Sequence, residues 1–402
     1  MRNILRDLTP FERARQIVLG LSVGYSMESL PISDADGLVL AEDIVSDINV
    51  PPFPKSLKDG YAVRASDTND ASSKHASLIL KDYIPAGRGD KLSVNLGETV
   101  EISTGAPLPE GADAVVMVED TELEGSKVII KKSVTKGQNV IPAGTDISLG
   151  TRVLRAGQRL SPVKLGVLAA IGRDSVPVRI LKVGIIATGD ELREPGNPLE
   201  AGSIYNTNSY TLSASIRRLG ATPVSYGIVK DNYMEVEDVF LQALDECDVV
   251  LTTGSTSAGT DDFMYDVIGQ YGRILVHGMN FKPGKPVIIA EADGIPVIGL
   301  PGNPTAALMV FNELVAVLIS NGLGTSLPIR KKVKGKLMAD IYSDTRLDLY
   351  AVRVDRYLVY PADKTSASIT TLADADGFIS IGPEITYLPA GSEVEVTLFE
   401  DA

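Results

Sequence analysis

The stretch "VGIIATGDEL", Val183 to Leu192, runs six mostly apolar residues into Thr188-Gly189 and then sets two carboxylates, Asp190 and Glu191, side by side. Such a run reads as a buried strand. The two charges just beyond it cannot share that burial, so they mark a strand end that faces water or a ligand.

Working outward, strand-like and helical runs alternate. Asn208–Leu219 reads as a helix with Leu212, Ile216 and Leu219 on one face, and Pro223–Val229 as the next strand. Met234–Leu244 is again helical, with Val236, Val239, Phe240, Ala243 and Leu244 apolar; Asp248–Thr253 is a strand, and Phe263–Tyr271 a helix. Such alternation predicts βαβ units and a mostly parallel sheet. "KPVIIAEADGIPVIGLP" (Lys285–Pro301) reads as a hairpin turned at Asp293-Gly294. The last helix begins after Asn303, with Pro304 in its first turn. On the N-terminal side, the first forty residues read as helical, Phe11, Ala14, Ile17, Val18 and Leu21 recurring at helical spacing. Between about 55 and 145 the chain reads as short strands, "VVMVE" and "KVIIKK" the clearest. After about 326, "LYAVRV", "RYLVY", "FISI" and "EVEVTLF" predict a C-terminal β domain.

In a parallel α/β sheet, ligands bind beyond the carboxyl ends of the strands. Asp190 and Glu191 follow the first strand, Asp231 the second, and Asp261 and Asp262 the third. Like charges gathered at one edge repel, and a divalent metal resolves the conflict; hard oxygen ligands suit Mg²⁺. Taken singly, such acids also serve as solvated loop residues or helix caps, Asp262 before the Phe263 helix in particular. The same edge is rich in donors. "TTGSTSAGT" (Thr252–Thr260) leads into a helix and can aim N–H groups at a phosphate, as can the "LPGNP" helix start. "FKPGKP" (Phe281–Pro286) holds Lys282 and Lys285 in a stiff turn. Acids for a metal, with lysines and helix starts for phosphates, imply a phosphorylated small molecule cleaved or transferred at phosphorus.

The 402 residues exceed one ordinary domain core. A net charge of −14 disfavours nucleic acid and anionic membrane as partners. A single cysteine, Cys247, excludes an intrachain disulfide, and two histidines, His75 and His277, argue against a His-rich zinc site. Charges at Arg2, Arg6, Asp7, Glu12, Arg13 and Arg15 interrupt any signal-peptide core. The most apolar run, Ala306–Ile319, contains Asn312 and Glu313 and reads as too short and polar to span a membrane. The expectation is a soluble, cytoplasmic protein.

Six motifs, in order, resemble one family: "DADGLVLAEDIVSDINVPPFPKSLKDGYAV" (Asp34–Val63), "ISTGAPLPEGADAVVMVED" (Ile102–Asp120), "ATGDEL" with "GSIYNTNSYTL", "TTGSTSAGTDDF", "KPGKP" and "GLPGNP". The family is that of the molybdopterin molybdenumtransferases, the MoeA proteins and the E domain of gephyrin. The resemblance implies a multidomain α/β plus β fold in four parts: an elongated N-terminal region from 1–50 and 146–180, an inserted β-rich domain at 51–145, a MogA-like three-layer α/β domain at 181–325, and a C-terminal β-barrel-like domain at 326–402. It implies a homodimer that cleaves adenylylated molybdopterin with Mg²⁺ or another divalent cation, releases AMP, and inserts molybdate or tungstate into the dithiolene. The molybdopterin adenylyltransferase is an implied partner. By motif, Glu191, Asp231 and Asp262 match the acidic, metal-binding positions, Lys282 and Lys285 the oxyanion-binding lysines, and Asp59 of "DGYA" a catalytic position expected to reach the site from the partner subunit. Ligand contacts are expected from Thr104, Thr188, Gly189, Ser257, Gly259, Pro301, Arg346 and Ser366. The chain departs from many members at Ser255, where they carry a second glycine. Two other readings share parts of the pattern: a molybdopterin adenylyltransferase, whose single domain resembles 181–325, and a non-catalytic pterin-binding scaffold.

Overall fold

The computed structural model describes residues 8–88, 92–254, 263–327, 329–362 and 368–399. Its contacts divide the chain into two units, one of Met1–Ala41, Gly157–Ser161 and Val176–Ala402, the other of Glu42–Ala156 and Pro162–Ser175.

In the first unit, the opening stretch forms β1 (Lys182–Thr188). It is followed by α1 (Asn208–Arg218), β2 (Thr222–Val229), α2 (Tyr233–Glu246), β3 (Val249–Gly254) and α3 (Phe263–Tyr271). Next come β4 (Gly272–His277), β5 (Met279–Lys282), β6 (Ile288–Ala292) and β7 (Ile295–Pro301). One six-stranded sheet has the order β2-β1-β3-β7-β6-β4. Its first four strands run parallel, and β6 and β4 are antiparallel additions. The β6–β7 hairpin turns at Asp293-Gly294, both at positive φ, as a tight two-residue turn requires.

The apolar runs are continuous because both faces of this sheet are covered. Val183, Ile185, Val249, Leu251, Ile298 and Leu300 enter one core with Leu212 and Ile216 of α1. The alternate residues Ile186, Val250 and Val297 enter a second core with Val236 and Phe240 of α2 and Val267 of α3. Each fully buried aliphatic side chain contributes about 1.5–3 kcal/mol, so this layering accounts for much of the stability of the unit.

The helix after β7 starts at Pro304, which occupies its first turn, and continues as α4 (Pro304–Val310), a π-helical turn at Phe311–Val315 and α5 (Ala316–Gly322). The whole segment, Pro304–Gly322, is longer than the run expected from the sequence, and it is long and apolar enough to cross a membrane by length and composition alone, yet 67% of its most apolar stretch is buried inside this chain. The π turn carries the two polar residues of the run, and Glu313 forms an ion pair with Arg330.

Beyond it lie β8 (Lys332–Leu337), β9 (Leu347–Asp355), β10 (Leu358–Pro361), β11 (Gly377–Ile381) and β12 (Glu393–Leu398). The seven-stranded sheet runs in the order Thr9–Pro10, β5, β9, β10, β8, β12, β11, and β11 pairs back onto β9, closing a barrel-like ring around Val352, Val359, Ile379 and Val396. Strand β5 therefore leaves the α/β sheet region and joins the barrel sheet, pairing parallel with Thr9–Pro10 on one side and β9 on the other.

The N-terminal expectation is corrected in part. A helix covers Phe11–Gly20 only, burying Ala14 and Val18; Ser26–Pro31 is a strand paired with Ser175–Ile180. Its residues are mostly exposed, so no alternation in the sequence announces it. The second unit holds a six-stranded sheet in which Gly60–Val63 lies between Glu98–Ile102 and Ala114–Met117. Tyr61, Val63, Val116, Val128 and Ile130 form part of its core.

Candidate functional site

The strand ends of the α/β sheet are built on glycines. Gly254 closes β3 at φ +124°, and a Cβ there would stand 2.2 Å from the carbonyl oxygen of Thr188. Gly189 sits at φ +147°, where a Cβ would lie 2.6 Å from Glu191 Oε2. The backbone at the ends of β1 and β3 thus approaches more closely than any side chain permits, and the Glu191 carboxylate folds back over Gly189. Thr188 and Thr253 are buried beneath this edge.

The two adjacent acids have separate tasks. Asp190 Oδ1 accepts the backbone N–H of Asp231 at 3.3 Å, and Gly189 N–H donates to Val229 O at 3.3 Å, so the loops after β1 and β2 are tied together. Glu191 is exposed and Asp231 half-buried. Both therefore stand at the same sheet edge, joined by Asp190. Asp262, Ser257 and Gly259 lie outside the described residues. Among the described residues no group of three His, Cys, Asp or Glu gathers closely enough to hold a metal. The donor set of Glu191 and Asp231 is nonetheless all hard oxygen, the chemistry that Mg²⁺ takes.

Asn208, the first residue of α1, is not among the site residues expected from the sequence. Its Nδ2 donates to Thr253 Oγ1 at 2.6 Å and to Gly302 O at 2.9 Å, clasping α1, the end of β3 and the turn after β7. Its buried Oδ1 has no partner among the described residues. The only signal in the sequence is its place in "NTNSYTL", at the start of a helix.

The lysines line a second region. A cavity of about 350 Å³ is walled by Lys282, Gly284, Lys285, Pro301, Arg346 and Asp348, together with Thr305 and Thr371. Gly284 is at φ +133°, and a Cβ would meet Val310 Cγ2 at 2.4 Å, so the lysine turn packs directly on the helix that opens at Pro304. Lys282 Nζ donates to Asp348 Oδ2 at 2.8 Å. Arg346 Nε donates to Asp344 Oδ1 at 3.1 Å, and this hydrogen bond holds the Asp344 carboxyl below the usual carboxylate range. Thr305 Oγ1 donates to Ser368 O at 2.8 Å, tying the helix start to the C-terminal region. Lys282, Lys285, Arg346 and Pro301 are thus brought to one cavity. Ser366 lies outside the described residues.

Asp59 and Thr104 belong to the other unit and meet there: the Thr104 backbone N–H donates to Asp59 Oδ1 at 2.8 Å. Asp59 is exposed at the head of the Gly60–Val63 strand. Cys247 is buried, and burial pushes its thiol pKa up, consistent with an inert residue.

An α/β domain with acids and glycines at the ends of parallel strands, joined to a barrel-like domain bearing cations, defines a multidomain α/β plus β protein whose charged groups face a sheet edge and a cavity. Residues 184–320 match the family described as "Probable molybdopterin binding domain". Residues 9–172 match "MoeA N-terminal region (domain I and II)", and 334–399 match "MoeA C-terminal region (domain IV)". The chain is 33% identical over 387 residues to Molybdopterin molybdenumtransferase 2 of Mycobacterium tuberculosis, covering 92% of this chain and 94% of the relative. It is 34% identical over 410 residues to the molybdopterin molybdenumtransferase of Bacillus subtilis, covering 98% and 95%. The crystal structure of a molybdopterin biosynthesis MoeA protein from Pyrococcus horikoshii superposes with a TM-score of 0.84 at 36% identity, covering 98% of this chain and all of that one. The chain belongs to the MoeA family of molybdenum cofactor biosynthesis proteins.

Proposed function

We propose that this protein is a molybdopterin molybdenumtransferase that cleaves adenylylated molybdopterin, releases AMP and delivers molybdate or tungstate to the dithiolene. The observation that carries the reading is the gathering of Lys282, Lys285 and Arg346 around one cavity beside the "LPGNP" helix start, within the same unit as the acidic strand ends. Cations held in a half-closed cavity suit an oxyanion, and carboxylates at glycine-built strand ends suit a metal and the backbone approach of a phosphate.

Glu191, Asp231 and Asp262 would hold a divalent cation, Mg²⁺ by donor chemistry, which when bound supplies charge neutralisation at the phosphoanhydride. Thr188, Gly189, Ser257, Gly259 and Pro301 would orient the pterin nucleotide along the sheet edge. Lys282, Lys285, Arg346 and Ser366 would take the oxyanion. Asp59 and Thr104, already hydrogen-bonded to each other, would act as a pair. We read the chain as four parts, 1–50 with 146–180, 51–145, 181–325 and 326–402. It would act in the cytoplasm as a homodimer, with the adenylyltransferase as its supplier. The exposed apolar side chains of Leu19, Tyr25 and Met27 supply surface for a second copy to cover.

The test is AMP release from adenylylated molybdopterin by the purified protein, with and without Mg²⁺ and molybdate or tungstate. Release requiring both supports the transferase. Consumption of ATP with free molybdopterin instead identifies an adenylyltransferase, and tight binding without turnover a scaffold. The mass in solution tests the dimer.

A further inference from the structure

The lysine cavity contains a buried acid where an anion site would be expected to avoid one. Asp348 is 2% exposed, yet it lines the same cavity as Lys282, Lys285 and Arg346. We propose that Asp348 is a positioning residue for oxyanion capture, pinning the ammonium of Lys282 at the cavity wall. The inference rests on the reading of this cavity as the oxyanion site.

Strand pairing explains the contact. Lys282 of β5 and Asp348 of β9 are register partners in a parallel pair, so their side chains leave adjacent backbones on one face. Oδ2 of Asp348 accepts Lys282 Nζ at 2.8 Å and the Ser343 hydroxyl at 2.9 Å. An unanchored lysine has four rotatable bonds and samples many positions; one fixed hydrogen bond leaves its two other N–H donors aimed from a known point. The other acid near the cavity differs. Asp344 pairs with Arg346 two residues away, and its side chain is 46% exposed, so it can swing off when an anion arrives. Asp348 has no such freedom, being buried and doubly hydrogen-bonded. The charged groups around Lys282 are thus Asp348, Lys285, Arg346 and Asp344. A further observation points to a ligand with acceptor oxygens: the Thr371 hydroxyl, on the cavity wall and in a residue 1% exposed, has no hydrogen-bond partner among the described residues.

The experiment uses the full chain with tungstate or molybdate alone, titrated calorimetrically against wild type, Lys282→Ala, Asp348→Asn and the double variant. Lys282→Ala is expected to weaken oxyanion binding about tenfold, and Asp348→Asn by a similar factor. Because Asp348 acts through Lys282, the double variant should be no more than about twofold weaker than Lys282→Ala alone. AMP binding, measured in parallel, should stay within about twofold of wild type in Asp348→Asn, which a general loss of structure would not allow. Should Asp348→Asn fail to fold, Ser343→Ala tests the same pin, weakening oxyanion binding in the wild-type background but not in Lys282→Ala. Wild-type binding by Asp348→Asn, or by Ser343→Ala where that stands in, overturns the proposal alone, as do fully additive losses in the double variant. Wild-type binding by Lys282→Ala overturns the cavity assignment and the proposal with it.

Discussion

At the acidic strand ends the charged groups stand on loops while the backbone beneath them is locked. Gly189 and Gly254 allow no side chain, Thr188 and Thr253 are buried, and Glu191 is exposed. In the lysine cavity the elements that carry charge are themselves held: Lys282 by buried Asp348, and the turn between the lysines by the packing of Gly284 on Val310. The difference follows from what each region would hold. A metal selects its own geometry once enough oxygens are near, so its ligands tolerate loops. An oxyanion held by flexible cations gains specificity only if those cations are fixed beforehand. The two regions should therefore respond differently to mutation: the first in turnover, the second in stability and binding together.

The largest effect is expected at the first region. Glu191→Ala removes an exposed carboxylate, so folding stability should change by no more than about 0.5 kcal/mol. Loss of a metal ligand should cost at least the effect of losing an outer partner, so turnover of adenylylated molybdopterin should fall by about a hundredfold or more. Thermal unfolding and AMP release measured on one preparation check both halves. Full activity would remove Glu191 from the site.

In the second region stability and binding should fall together. Gly284→Ala places a Cβ 2.4 Å from Val310 Cγ2 at a positive φ, and strain with overpacking should cost about 2–4 kcal/mol. Denaturant unfolding measures the loss, and oxyanion binding should weaken with it because both lysines sit on the displaced turn. An alanine accepted without cost would mean that the turn is looser than its packing indicates, and the contrast between the regions would fail.

Asn208→Ala lies between these cases. It removes both donors of a buried amide, so the Gly302 carbonyl loses its hydrogen bond and stability should fall by about 1–3 kcal/mol. Turnover should fall further than stability explains, because the ends of β3 and β7 are released together. Equal, small losses in both would make Asn208 a packing residue only.

The acids and lysines could be read from the chain because each follows a local rule. Carboxylates come directly after apolar strands, lysines are set between prolines, and a helix opens at an asparagine and a proline. Asn208, Asp348 and Thr371 follow no such rule. Asn208 meets partners 45 and 94 residues away, and Lys282 meets Asp348 66 residues on, so their roles exist only after α1, β5 and β9 are in register. The same reason hid the strand Ser26–Pro31, whose partner begins at Ser175 and whose exposed residues carry no period. In contrast, β1, β3 and β7 announce themselves, since burial on both faces makes each an unbroken apolar run.

The smallest effect tests the approach to the lysine turn. His277 ends β4, five residues before Lys282; its ring packs against Tyr265 at a tilt of 34° with centroids 4.5 Å apart, and its Nε2 is buried without a partner among the described residues. Burial lowers the imidazole pKa from its ordinary 6.5. Above pH 6.5 the ring is neutral in folded and unfolded chains alike, and its contribution is complete. As pH falls below that value the unfolded chain takes up the proton while the folded one resists, so stability is lost progressively through the lowered folded value. His277→Phe keeps an aromatic partner for Tyr265 and removes the titration. The fall in melting temperature of the wild type between pH 7 and pH 5 should therefore be steeper than that of the variant, by an amount smaller than any effect above. Parallel curves would mean that the ring finds a proton acceptor on charging, and that the entry to the lysine turn yields where the turn itself does not.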